Sequence, residues 1–418
     1  MSGQIQPDAG PDDRPPALIL GGGLIALGIV RSMGHRSIPV TVLEWDPADI
    51  VRHSRFARWI QLPNPGDDES AVLALISEAA CSPRRPVLFV CGDVALRIAC
   101  ANQDRLSDFM DFVLPSESAA FSVLEKTAFA VFAERNSVPV PRTWRPASAS
   151  ELSALLPQLP GDLVIKPRNS TDWHGAVFRA ERGYAKLVRV SDQATLMDEW
   201  TRLASLAPPP IVQEYIDGDD EDHYSYVSYI DRSGKELVGC CVRKWRLLPI
   251  RYGLSTFASI VHDDELADMG RDILRKLEYR GASSVCFKRN PATGRATIFE
   301  INGRLPLVHQ SLLLAGVDLP WLMYLDANAS YGGGTVLKLP AKGRWITLSY
   351  DVGAFLGYRA TGVLSSARWM RSLLSVRTMV EFDARDLGPF LACLIRLTTL
   401  ALKGFRMSIA GWARAFGV

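Results

Sequence analysis

Glu300, Asn302 and Arg304 fall at every second position near the end of the stretch SVCFKRNPATGRATIFEINGRLP. Successive strand side chains point to opposite faces, so this spacing aims a carboxylate, an amide oxygen and a guanidinium at one small volume and leaves Ile301 and Gly303 for the other face. Carboxylate and amide oxygens are the hard donors that Mg2+ accepts, and a guanidinium forks onto phosphate. The combination suits a metal-bound polyphosphate. Upstream, Lys166 ends the short apolar run LVIKP, where an ammonium among apolar neighbours must find an anion. Taken alone, such a lysine would read as a solvated strand edge.

The elements that must position these groups follow from the pattern of apolar runs. From Ala17 the order is ALIL as a strand, GGGLIALGIVRSMGHR as a glycine turn and helix, and IPVTVLE as a second strand, with PVLFVCG further on. Short apolar runs alternating with helical stretches predict a parallel α/β unit over 17–115, preceded by a polar, proline-rich disordered tail over 1–16. The run SESAAFSVLEKTAFAVFAERN predicts one helix, stopped by VPVPRTW. GDLVIKP and the helix DQATLMDEWTRL then form a small α+β unit that ends at LAPPP. Longer strands come next, among them HYSYVSYI and KELVGCCVRKWRLL, followed by the helix DELADMGRDILRKLEY and a hairpin turning at NPATG.

Composition excludes several classes. The chain has 418 residues, 48% hydrophobic and 22% charged, with a formal charge of only +2. That suits a globular protein of several domains and gives no field that would draw nucleic acid. Seven cysteines without a CxxC pair argue against a disulfide framework and a zinc knuckle and point to a reducing cytoplasm. The six histidines lack ligand spacing, which argues against zinc. His309 is either a packing residue or a substrate contact. No apolar run reaches the roughly 18 to 20 residues needed to span a bilayer.

Four features recur in one order: a lysine on a helix (Lys126), a lysine within a short strand (Lys166), the linker VQEYIDG, and the hairpin CFKRNPATGRATIFEINGR. This order resembles the ATP-grasp superfamily, and within it the D-aspartate-ligase-like carboxylate–amine ligases, which read FKRDPxxG followed by EINPR. The resemblance covers roughly Ala17 to Ala329. It implies a Rossmann-like pre-ATP-grasp domain (17–115), a two-lobed ATP-grasp domain (116–330, lid lobe about 140–212) and a helical C-terminal extension (331–418). The implied activity is ATP-dependent joining of a carboxylate to an amine through an acyl phosphate, with ATP and Mg2+ as cofactors.

By the same resemblance Lys126 and Lys244 are further phosphate contacts. Gln213, Glu214, Tyr215 and Ile216 form the hinge that receives adenine, Glu221 binds the ribose hydroxyls, Glu300 and Asn302 hold metal, and Arg304 steadies the transferring group. Asp219 and Asp220 read equally well as a solvated acidic turn. Arg246 or Arg251 is the candidate to receive the substrate carboxylate. Two positions depart from the family. Cys286 stands where a second acidic metal ligand is usual, and Asn290 replaces the aspartate of FKRD. A neutral thiol is a poor ligand for Mg2+. Either one metal suffices, or another acid such as Glu278 or Asp222 substitutes, or catalysis is impaired.

Two other readings compete. Gly21, Gly23 and Ala26 satisfy G-x-G-x-x-A, with Glu44 where a ribose-binding acid would sit, which alone predicts an NAD(P)-dependent dehydrogenase. Cys286 and Asn290 motivate a non-catalytic ATP-binding module. The final run PFLACLIRLTTLALKGFRMSIAGWARAFGV carries Arg396, Lys403, Arg406 and Arg414 and no acid. A segment of this kind either docks on a core or a homodimer partner or makes peripheral membrane contact.

Overall fold

The computed structural model describes residues 14–169, 172, 173, 175, 178, 186–331 and 343–402, the last three without side chains. Most of the N-terminal tail, His174, the greater part of HGAVFRAERGYA, and Lys403, Arg406 and Arg414 lie outside them.

Ala17–Leu20 (β1), Val40–Glu44 (β2), Ala57–Gln61 (β3) and Val87–Val90 (β4) form a parallel sheet in the order β3-β2-β1-β4. β1 and β4 are buried at every position because both faces are covered. Ala17 and Ile19 pack with Leu27 and Val30 of the helix Gly23–Gly34, while Leu18 and Leu20 pack with Val72 and Ile76 of the helix Glu69–Ala79.

A second, antiparallel sheet contains Thr143–Trp144 (β5), Leu163–Lys166 (β6), Val188–Val190 (β7) and Ile211–Glu214 (β8), in the order β5-β8-β6-β7. Leu163, Ile165 and Val212 face Leu196, Trp200 and Leu203 of the helix Gln193–Leu206, and these residues form a core separate from the other clusters.

The large sheet holds His223–Ile230 (β9), Glu236–Leu248 (β10), Leu254–Val261 (β11), Gly281–Arg289 (β12), Ala296–Asn302 (β13), Arg344–Ile346 (β14) and Val376–Met379 (β15). Their order is β13-β12-β9-β10-β11-β14-β15. The last two strands come from the segment expected to be a helical extension, so that segment completes the sheet as well as supplying helices. One face of the sheet, with Tyr226, Val285, Phe287 and Ile298, is closed by Leu266, Ile273 and Leu274 of the helix Asp264–Lys276. The apolar residues of that helix recur at the spacing of one helical stripe, and Asp263 caps its start by accepting from the Leu266 N–H at 3.1 Å.

The opposite face is divided along its length. Val227, Tyr229, Val238 and Ala282 pack into the cluster that includes Ala17 and Ile19. Beyond that cover the same face becomes polar, because His223, Ser225, Lys244, Ser284, Cys286 and Lys288 lie next to one another across the ladder. Strand alternation fixes this placement. Cys286 stands opposite both Ser225 and Glu300, Ser284 opposite Asn302, and Lys244 and Lys288 both opposite His223.

Candidate active site

The polar end of that sheet face forms the floor of the site. At its centre is Cys286, only 2% exposed. Its Sγ accepts from Asn302 Nδ2 at 3.5 Å and Lys244 Nζ at 3.7 Å, and Ser225 Oγ lies 3.6 Å away. The amide nitrogen of Asn302 is directed at the thiol, which leaves its carbonyl oxygen without a protein donor among the contacts described, and the Glu300 carboxylate is exposed. The ladder slips one residue between Cys286 and Phe287, so Phe299 and Glu300 occupy a bulge while Ile298 and Ile301 stay buried. The bulge adds the Phe299 ring to the floor, which simple alternation does not foresee.

Lys166 comes from the second sheet. Its ammonium donates to Gln213 Oε1 at 2.7 Å and stands 5.9 Å from the centre of the Phe299 ring. Burial lowers its pKa to about 8; Glu300 acts to raise it, while Lys126 and Lys288 lower it further. These four charged groups therefore share one locality. Lys126 reaches it because the helix expected over 116–135 is broken. Glu117–Leu124 ends at Glu125, whose extended backbone bridges Asn169, and a new helix begins at Lys126. Glu125 caps that helix by accepting from the Ala128 N–H at 2.8 Å, and the Lys126 N–H donates to the Arg168 carbonyl at 3.0 Å. The break puts Lys126 at the start of the second helix, next to the end of β6.

Arg304 lies just past β13, and its Nε donates to Asp93 Oδ1 at 2.8 Å. Asp93 opens the helix after β4, so this ion pair joins the first sheet unit to the large one. Lys186 completes the ring and was missed in the sequence, which offers only YAKLVRV around it. Its side chain is exposed; Glu300 acts to raise its pKa, and Arg304 and Lys244 act to lower it. Lys288, 6% exposed and 4.9 Å from the Tyr215 ring centre, is a second lysine that sequence reasoning overlooked. Its place in FKR, two residues beyond Cys286, was the available signal.

The structure thus brings together Lys126, Lys166, Lys244, Gln213, Glu300, Asn302 and Arg304. Other expected residues stand apart. Gln213 faces the site, but Glu214 pairs with Arg142 Nε at 3.2 Å, and its N–H donates to the Arg142 carbonyl at 2.9 Å. The Tyr215 N–H donates to the Asp162 carbonyl at 3.1 Å; its ring centre lies 3.9 Å from the Arg189 guanidinium and 4.9 Å from Lys288 Nζ, and Ile216 is half-buried. Glu221 is exposed, and its carbonyl accepts from Arg243 Nε at 2.8 Å.

Asp220 is a correction to the solvated-turn reading. It is 7% exposed and accepts from the Arg251 N–H at 2.8 Å and from the Tyr358 hydroxyl. Arg246 is another. Its Nε and Nη2 donate to the two oxygens of buried Asp351 at 2.7 and 2.8 Å, and its Nη1 donates to Ser372 at 3.0 Å. All of its donor-bearing nitrogens are engaged within the fold, so Arg246 does not receive substrate. His309 is buried, with Nδ1 held by the Pro306 carbonyl at 2.8 Å, and burial lowers its pKa to about 4, which fits a packing residue.

The donor chemistry also bears on a metal. Among the described residues no cluster of three or more His, Cys, Asp and Glu side chains is arranged around a common centre. Glu278 lies before β12, and Asp222 accepts from the Asp219 N–H at 2.8 Å, so neither substitutes at Cys286. Two hard oxygens, from Glu300 and Asn302, remain. They fit one Mg2+ that completes its octahedron with water and phosphate oxygens. Asn290 instead builds the hairpin turn, its Oδ1 accepting from the Ala292 and Thr293 N–H groups at 2.9 and 3.0 Å. That departure leaves the metal face untouched.

The glycine turn Gly21–Gly23 does not offer a dinucleotide cradle. The Gly23 N–H donates to Asp49 Oδ2 at 2.6 Å, and a Cβ on Gly22 would lie 2.4 Å from Asp49 and 2.6 Å from Glu44. Burial pushes the Glu44 carboxyl up to about 7 and raises that of Asp49. Two carboxylates already fill the place a pyrophosphate would take.

Comparisons with known proteins agree with this geometry. No protein-family model matches the chain. It is 23% identical over 316 residues to a D-aspartate ligase of Enterococcus faecium, a match covering 72% of this chain and 74% of that protein. Its structure is similar to a biotin carboxylase–β,γ-ATP complex from Campylobacter jejuni (TM-score 0.60, 17% identity, 78% and 74% of the two chains). It is also similar to an L-amino acid ligase from Bacillus licheniformis (TM-score 0.59, 14% identity, 79% of each chain). The converging lysines, the two-oxygen floor on the last hairpin and these likenesses lead to one conclusion: the chain has the ATP-grasp fold.

Proposed function

We propose that the chain is an ATP-dependent carboxylate–amine ligase, with the parallel sheet as a Rossmann-like pre-ATP-grasp domain and β5–β8 as the lid lobe. The observation that carries this reading is the ring of Lys126, Lys166, Lys186, Lys244 and Arg304, drawn from separate elements around Glu300 and Asn302. Such a ring stabilises a polyphosphate and the charge that develops as phosphate is transferred. Lys126 and Lys166 hold the phosphates, while Lys244 and Arg304 face the group in transit. Gln213, Tyr215 and Ile216 bound the base, and Glu221 at the rim is the ribose contact. Glu300 and Asn302 would hold Mg2+, which when bound would supply charge neutralisation.

The carboxylate oxygen of the acid attacks the γ-phosphorus and ADP leaves. The amine nitrogen then attacks the acyl carbon, the C–O bond to phosphate breaks as the C–N bond forms, and inorganic phosphate departs with the proton lost by the amine. Arg251, whose side chain is exposed beside Tyr252 and Asp220, remains the candidate for the substrate carboxylate. The test is ADP release with pooled carboxylates and amines. Sustained release that needs both pools, with an amide detected by mass, is the expected result. ATP binding without turnover would favour the non-catalytic module instead.

Lys166 gives this reading a pH signature. Its ammonium is depressed to about 8 in the free protein, and a bound triphosphate raises it, so binding at high pH requires proton uptake. Affinity for a non-hydrolysable ATP analogue should be flat below about pH 8 and fall by up to about ten-fold per pH unit above it. Titration calorimetry across that range checks the slope, and Lys166→Arg should flatten it.

A further inference from the structure

We propose that Arg243 and Arg344, on the side of the large sheet away from Lys244, form a second anion site that takes a phosphate group, a role that does not depend on the ligase reading. The site is built on a strand irregularity. The β10–β11 ladder pairs Lys244 with Ala258 and Arg246 with Phe257, so Trp245 is the extra residue of a bulge. Its Nε1 donates to Ser259 Oγ at 2.9 Å, and Ser259 stands opposite Arg243. β14 brings Arg344 to the same place: Arg344 and Ile346 share a face by alternation, and Ile346 pairs with Phe257. The guanidinium carbons of Arg243 and Arg344 lie 4.1 and 4.2 Å from the centre of the Trp245 ring, and that of Arg344 lies 5.3 Å from the Phe257 ring centre. Aromatic rings thus hold both cations in place. Arg243, Trp245 and Arg344 are all half-buried, so a solute can still reach them.

The protein itself leaves these two charges without a partner. Arg246, 3.8 Å from the Phe257 ring centre, is neutralised by Asp351. Arg243 Nε meets only the uncharged Glu221 carbonyl. Among the described residues neither Arg243 nor Arg344 forms an ion pair, and the Arg344 side chain makes no hydrogen bond. Burial, Arg246 and Arg243 all push the Arg344 guanidinium below its ordinary pKa, and the exposed Glu221 carboxylate opposes them without reaching ion-pair distance. The sequence around Arg344 offers no remedy, since no Asp or Glu lies between Asp326 and Asp351.

A half-buried guanidinium with idle donors and like-charged neighbours is costly unless an anion supplies both acceptors and charge. Flanking one ring, Arg243 and Arg344 are near enough for a single phosphate to receive N–H donors from both. A phosphate group carries a charge of about −2 and three free oxygens, which matches two forked cations better than a carboxylate does.

The test is the thermal midpoint of the full chain in inorganic phosphate against chloride of equal ionic strength. A non-hydrolysable ATP analogue with Mg2+ is kept saturating, so that phosphate does not compete for the lysine ring. The parent's midpoint should rise with phosphate, as it does for any ligand that binds only the folded state. Arg344→Gln and Arg243→Gln should each raise the phosphate concentration needed for the same rise by at least about ten-fold. Both should keep the parent's analogue affinity, which reports folding. The difference between parent and variants reports this site whatever occupies the lysine ring, which separates its fate from that of the ligase reading. Phenyl phosphate distinguishes the source: action at lower concentration than phosphate assigns the site to a larger phosphorylated ligand, and the reverse order assigns it to free phosphate. Equal midpoints in phosphate and chloride overturn the proposal. So does a phosphate effect that both variants keep in full.

Discussion

Glu300→Gln should cost at least about 1,000-fold in turnover, some 4 kcal/mol of barrier, while leaving ATP-analogue affinity within a few-fold. The replacement keeps the size of the side chain and removes its charge. Two separate losses follow. The floor then offers two neutral amide oxygens, a weak site for Mg2+ between phosphates. The lysine ring also loses its counter-charge, since Glu300 acts to raise the pKa of both Lys166 and Lys186 against burial. The pH at which analogue affinity begins to fall should therefore move below about 8. Single-turnover ADP formation and the pH titration measure the two losses independently. Turnover at the parent's rate would remove Glu300 from the metal site.

Asp351→Asn should destabilise the fold by about 3–5 kcal/mol, because it strands a buried guanidinium. Asp351 is fully buried and accepts from four groups: Arg246 Nε and Nη2, Thr256 Oγ1 at 2.8 Å and Trp369 Nε1 at 2.8 Å. These contacts tie β10 and β11 to the helices Leu348–Ala360 and Ser366–Leu373. Replacing the pair together, Arg246→Met with Asp351→Leu, should recover much of the loss, since the desolvation cost of both charges disappears with them. Denaturant midpoints of the three proteins decide the matter. Were Arg246 instead a substrate receptor, Arg246→Met would raise KM and leave the midpoint where it was.

Much of the site could be read from the chain because its geometry is local. Glu300 and Asn302 share a face by strand alternation, and Ile301, 4% exposed, takes the other. Lys166 could be read for a similar reason: an ammonium closing a buried apolar strand needs an anion. Glu221 and Glu214 were harder, since a turn or strand end gives no period from which to infer direction. Arg246 was misread because its partner, Asp351, lies 105 residues away in a segment whose link to the sheet has no sequence mark. The helix break at Glu125 was hidden for the same reason. SVLEKTAF has good helical character throughout, and only pairing with Asn169 makes the extended conformation there worthwhile.

The sequence by itself determined the floor: which residue types stand on the face of the last hairpin, that a thiol replaces an acid there, and that the tail carries cations without anions. Those properties depend on the two-residue repeat of a strand and on composition. Tertiary structure alone decided how the charged groups surround the floor, bringing Lys186 and the Arg304 partner Asp93 to it from distant parts of the chain, and which side of the last helix meets solvent. Charges far apart in the chain act on one another only after burial has set their distances and removed the water between them.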